Sequence, residues 1–122
     1  MEDIQIIYSQ LADLIIESIP KKWDKAWAYI EYDQSGNNEI YTCFLESGTL
    51  FSKKKIHDFE IDGWKLIDLF NLIRNDSPLK EKWSSATYTI NNKDKFEIDF
   101  DYSDLEKSNA YDRRVAWEKK YL

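Results

Sequence analysis

Apolar residues recur at helical spacing at the start of the chain, at Ile4, Ile7, Tyr8, Leu11, Leu14, Ile15 and Ile19, and the pattern stops at Pro20. The spacing predicts an amphipathic helix over residues 3 to 18, closed by a proline that cannot continue it. Two stretches rich in aromatic and β-branched residues follow, KAWAYIEYD and NEIYTCFLE, on either side of the turn-forming QSGNN. They read as a β-hairpin in which Tyr29 and Tyr41 are either paired aromatics or outer-face packing. The next segment, SGTLFSKKKIHDFE, is compatible with a third short strand and equally with a loop.

IDGWKLIDLFNLIRND places Leu66, Leu69, Phe70 and Ile73 on one helical face, widened by Trp64 and Ile67, and ends at NDSP. KWSSATYTI and KFEIDFDY then flank NNKD and predict a second hairpin. Ser108 is placed to cap a last helix through AYDRRVAWEKKYL. The order helix, hairpin, optional strand, helix, hairpin, helix implies an α+β fold, an antiparallel sheet of four to five strands covered by three helices. No linker, low-complexity tract or repeat interrupts it, so residues 1 to 122 read as a single domain.

Within FEIDFDYSDL the strand period separates Phe96, Ile98, Phe100 and Tyr102 from Glu97, Asp99 and Asp101 on the opposite face. Adjacent acids would stand about 7 Å apart, within the range that an inverting glycosidase uses, and carboxylates of this kind also bind Mg²⁺ or Ca²⁺. A small carboxylate-dependent hydrolase is therefore one reading. Acids alternating along a solvated strand diverge, however, whereas a metal site needs ligands converging from several segments and a glycosidase needs a cleft that raises one pKa. No G-x-S-x-G, phosphate-binding glycine loop or H-E-x-x-H is present. His57 has no visible catalytic partner and reads as a surface or hydrogen-bonded residue. Cys43, midway along a strand, reads as a small buried apolar residue rather than a nucleophile. No cofactor, metal or catalytic residue is implied.

Composition sharpens this picture. The chain has 43% apolar residues and nineteen aromatic ones, with only three Gly and two Pro, ample for one packed core. Its single cysteine excludes an internal disulfide and suits a reducing compartment, so a cytoplasmic protein is expected. The first twenty residues carry Glu2, Asp3 and Asp13, lack a positive leader and a long apolar run, and are expected to be neither signal peptide nor membrane span. Net charge is −6, which opposes direct nucleic-acid binding, and the small basic clusters SKKK and Arg113-Arg114 read as solvated faces. Between Asn91 and Glu106 six acids face two lysines, a local balance of −4. Such a patch is either a solvated face that discourages aggregation or a surface that steers a basic protein partner. Tyr102, Tyr111 and Trp117 are the aromatic anchors within its reach, although Trp117 serves equally to pack the last helix. A homo-oligomeric or adaptor protein is a further reading of the same aromatic surface.

IPKKW after the first helix, Trp83 at the start of the fourth strand, KFEIDFDYSDL, and the closing YDRRVAWEKKYL together resemble the YezG-like family of immunity proteins, or antitoxins. The landmarks span nearly the whole chain, and the last two are the most specific. The resemblance implies a small cytoplasmic protein that binds and neutralises the C-terminal toxin domain of a secreted polymorphic toxin. That toxin is often a nuclease exported by type VII secretion, of the LXG type. A nuclease presents positive charge where it meets phosphate, so Glu97, Asp99, Asp101 and Asp104 are the expected contacts, supported by Tyr102 and Tyr111. The same motif also reads structurally, with Phe96, Ile98, Phe100, Arg114 and Trp117 locking strand to terminal helix. Arg113 and Arg114 are expected to pair with Glu118 or Asp112, or to reach the acids of the preceding strand.

Overall fold

The computed structural model describes residues 4–33, 35, 37–48, 55–75 and 82–122. Helix α1 (Ile4–Ser18) precedes β1 (Trp23–Tyr32) and β2 (Asn38–Glu46), then a short β3 (Ile56–Asp58), α2 (Gly63–Asn75), β4 (Ser85–Asn91) and β5 (Phe96–Asp101). A 3₁₀ turn, Leu105–Lys107, leads into α3 (Ala110–Tyr121). The strands form one sheet of five in the order β3-β2-β1-β4-β5, antiparallel throughout. An α+β fold with three helices on an antiparallel sheet is what the periodicities predict, and SGTLFSKKKIHDFE does supply the fifth strand. Residue 3, the 52–54 part of SKKK, the 76–78 part of NDSP and positions 34 and 36 of QSGNN lie outside the described residues.

Strand alternation divides the protein into two apolar layers. Ala26, Ala28, Ile30 and Tyr32 of the central β1, with Phe44, Ala86, Tyr88 and Ile90, face α1 and α2. Against them pack Ile7, Leu11 and Ile15 of α1 and Leu66, Phe70 and Ile73 of α2, the stripes that the 3.6-residue spacing predicts. The small Ala26 and Ala28 let helices approach the middle of the sheet, and Trp83, ringed by Tyr32, Phe70 and Phe100, fills its end. On the opposite face Trp27 and Cys43 meet Trp117 of α3. β1 is thus buried on both sides and shows hardly any polar alternation, as a central strand must.

Local signals set the element ends. Ser18 Oγ donates to the Leu14 carbonyl at 2.6 Å two residues before Pro20. Asp62 Oδ1 accepts from the Lys65 amide at 3.2 Å, capping α2. Asp94 takes a positive φ of 63° in the β4–β5 turn, a conformation that aspartate tolerates better than most residues.

Three expectations change. The cap of α3 is Asn109, whose side chain accepts from the Asp112 amide at 2.7 Å, while Ser108 closes the preceding turn. Trp64 is 81% exposed rather than part of the apolar face, because two helical steps put it about 160° round the axis from Leu66. The apolar residues of the β5 motif do not lock strand to helix, since Phe96, Ile98 and Phe100 face the α1–α2 side whereas Trp117 packs on the other, and β5 is linked directly to α3 by the hydrogen bond of Asp99 with Tyr121. Phe96 itself stacks on Tyr88 at 5.2 Å and meets Tyr8 at 5.5 Å.

Phe70 is completely buried between α1 and the sheet. Phe70→Ala is expected to cost about 3–5 kcal/mol, read as a lowered urea midpoint with an unchanged slope; a loss below about 1 kcal/mol would contradict this packing.

Candidate functional site

The face that carries the acids of β5 is not open along its width, because α3 lies across β1, β2 and β4. What seats α3 is a charge. Glu31, only 4% exposed near the end of β1, receives two hydrogen bonds from Arg113, Nε to Oε2 at 2.7 Å and Nη2 to Oε1 at 3.1 Å. Arg113 Nη1 also donates to the carbonyls of Leu105 at 2.8 Å and Ser108 at 2.7 Å. One guanidinium therefore holds the strand, the 3₁₀ turn and the first turn of α3 together, with its fork geometry satisfied. The pairing with Glu31 holds Arg113 above its ordinary pKa. Tyr29 donates its hydroxyl to the same Glu31 carboxylate, and burial first, then this bond, push its phenol up.

Trp117 completes the seat. Its Nε1 donates to Thr87 Oγ1 at 2.9 Å, and its ring meets those of Tyr29 and Tyr41 at 5.8 and 5.3 Å. Tyr29 and Tyr41 are also register partners, so they are paired across the strands and half-buried under the helix at once. Arg114 lies 3.0 Å over the Tyr41 ring centre and pairs with Glu118 at 3.1 Å. Arg114 thus takes the expected i, i+4 partner, but Arg113 pairs neither with its neighbours nor with the acids of β5.

Between α3 and the β4–β5 edge runs a groove of about 280 Å³, bordered by Asp99, Asp101, Ser103, Lys120 and Tyr121. Asp99 Oδ2 accepts from the Tyr121 hydroxyl at 2.9 Å. Hydrogen bonds from Ser103, side chain and then backbone, hold the Asp101 carboxyl below its ordinary pKa. A general acid at pH 7 needs the opposite shift, so the geometry gives the hydrolase reading no support at Asp101. Among the described residues no group of three or more His, Cys, Asp or Glu is placed to hold a metal ion.

The other expected contacts are spread around this rim. Glu97 is exposed on β5 outside the groove, and Asp104 Oδ1 accepts from the Glu106 amide at 3.0 Å, capping the 3₁₀ turn. Tyr102 is 47% and Tyr111 76% exposed, beyond the end of β5 and on the first turn of α3 respectively. The structure brings Asp99 and Asp101 to one groove and leaves Glu97, Asp104, Tyr102 and Tyr111 around it. His57 pairs with Glu46 at 2.9 Å and lies against Phe44. Glu31 escaped the sequence reading, although it has the same strand parity as Trp27 and Tyr29, and an acid at an inward position calls for a buried partner.

Among the described residues no helix is long and apolar enough to cross a membrane. The family described as Immunity protein YezG-like matches residues 4–122. A relative from Bacillus spizizenii, named Immunity protein YezG, is 26% identical over 130 aligned positions, covering 95% of this chain and 80% of its own length. One of the same name from Bacillus subtilis is 26% identical over 135 positions, covering 98% and 87%.

Cys43 is buried beneath Trp117, and burial raises its thiol pKa to about 12. Well under about 1% is then thiolate at pH 8, so the folded protein is expected not to react with a disulfide reagent until denatured. Prompt labelling in native buffer would show that the seat of α3 opens.

Proposed function

The chain belongs to the YezG-like immunity protein family, and from that premise we propose that it binds and neutralises the C-terminal toxin domain of a secreted polymorphic toxin in the cytoplasm of the producing cell. The toxin is a nuclease exported by an LXG-type type VII system, and the chain acts as an inhibitor without catalysis of its own. The family match over residues 4–122 carries the reading. Physical support comes from the charge of −6 and from the carboxylates exposed at the β5 end of the sheet. A nuclease surface selected to hold phosphate also attracts carboxylates, and such steering raises the association rate and rejects wrong partners more than it adds affinity.

Contact falls to Glu97, Asp99, Asp101 and Asp104, with Tyr102 and Tyr111 as aromatic support. The two tyrosines present large, rigid apolar surface beside a polar tip, the type of side chain that dominates interface energetics once desolvated. The carboxylates of Asp99, Asp101 and Asp104 are held by Tyr121, Ser103 and the 3₁₀ turn rather than free to rotate, so binding costs them less ordering.

Titrating this chain into the toxin domain encoded beside its gene, with nuclease activity and complex formation followed together, is expected to give inhibition complete at a one-to-one ratio. No binding and no inhibition with both proteins folded would contradict the assignment. Asp99→Lys with Asp101→Lys is expected to slow association about tenfold or more at low salt, with the deficit shrinking as salt rises. An unchanged rate would remove these acids from the interface.

A further inference from the structure

Among the described residues β5 ends the sheet, and one side of it carries no strand. Its six residues make it the longer of the two sheet edges, since β3 at the other end has three. The hydrogen-bond phase can be read from its neighbours. The Asn91 amide donates to the Lys95 carbonyl and the register pairs Thr89 with Glu97 and Thr87 with Asp99, so the odd-numbered residues of β5 bond to β4. The amides and carbonyls of Phe96, Ile98 and Phe100 therefore point outward. Among the described residues the turn and loop hydrogen bonds do not reach them. An edge of this kind is a template for another strand.

Side chains decide which strand. Glu97, Asp99 and Asp101 stand on one face of the edge, and Phe96, 37% exposed, with half-buried Ile98 and Phe100 on the other. A second copy of this chain pairing antiparallel about Asp99 would set Asp99 against Asp99 and Glu97 against Asp101, and opposed like charges destabilise a cross-strand pair. A strand that alternates lysine or arginine with apolar residues meets carboxylates on one face and apolar surface on the other. The acids that block self-association thus select a basic partner.

We propose that the β5 edge is the docking template, and that the toxin domain adds a strand of alternating basic and apolar residues to it. This deepens the toxin-binding reading and rests on it. Backbone pairing supplies the contact, and the acids set its register and reject uncharged strands.

The test is amide hydrogen exchange on the labelled chain, free and in complex with the toxin domain encoded beside its gene. In the free protein the Glu97 and Asp99 amides are expected to exchange slowly and those of Phe96, Ile98 and Phe100 quickly. In the complex the latter three are expected to slow about 100-fold or more, with cross-strand backbone proton contacts from β5 to the toxin. A complex that inhibits the toxin while these three amides keep their free rates overturns the edge proposal alone. Protection without cross-strand contacts overturns it too, because burial by another element would then be the cause. Absence of any complex overturns the toxin reading together with it.

Discussion

The seat of α3 depends on an ion pair whose carboxylate, Glu31, is buried beneath the partly exposed Arg113. Trp117 is the one residue of the helix that is buried, so apolar area alone gives it little hold on the sheet. Glu31 and Arg113 add the charged hold, beside Arg114 over Tyr41 and the hydrogen bonds of Trp117 to Thr87 and Tyr121 to Asp99. Burying the Glu31 carboxylate costs several kcal/mol of hydration, and that cost is offset because the bonds from the partly exposed Arg113 are bidentate and its remaining donors reach the Leu105 and Ser108 carbonyls. Such a pair fixes geometry more than it adds stability. A helix turned by one residue would bring Asp112 against Glu31, carboxylate to carboxylate, or carry Arg114 off the Tyr41 ring. Trp117, Tyr121 and the groove beside β5 follow from that placement.

The rim then acquires its character from bonds that orient charge. Tyr121 reaches Asp99 from the last turn of α3, and Ser103 holds the Asp101 carboxyl below its ordinary pKa. Their value to a complex lies in long-range attraction and in register, because exposed ion pairs contribute about 0–1 kcal/mol once screened. In the proposed complex, affinity comes from desolvated anchors and backbone pairing, the roles proposed for the exposed tyrosines and the strand edge.

Much of the fold is legible in the chain because its signals are local. The α1 and α2 stripes and both hairpins come from periods of 3.6 and 2 within windows of ten to fifteen residues. β3 stayed ambiguous because three residues show no period. The cap of α3 slipped by one residue because Ser108 and Asn109 are both good caps, and only the Asp112 amide decides between them. Trp64 is apolar yet exposed, because helical phase and not side-chain character sets which side of α2 a residue faces. The candidate site is less legible. The acids of β5 announce themselves by alternation, whereas Arg113 and Glu31 are separated by 82 positions, and no spacing rule joins residues so far apart. Nor does the sequence show that α3 crosses the same face as those acids, which follows from which side of the sheet Trp117 chooses.

A double-mutant cycle tests most directly whether the ion pair governs this arrangement. Glu31→Gln and Arg113→Met would be measured singly and together by urea unfolding. Arg113→Met is expected to cost about 3–5 kcal/mol, because it strands the Glu31 carboxylate in the interior, Glu31→Gln less, because Arg113 keeps partial access to water, and the double change about 2–3 kcal/mol less than the sum. A coupling within about 0.5 kcal/mol of zero would show that α3 is seated without the pair.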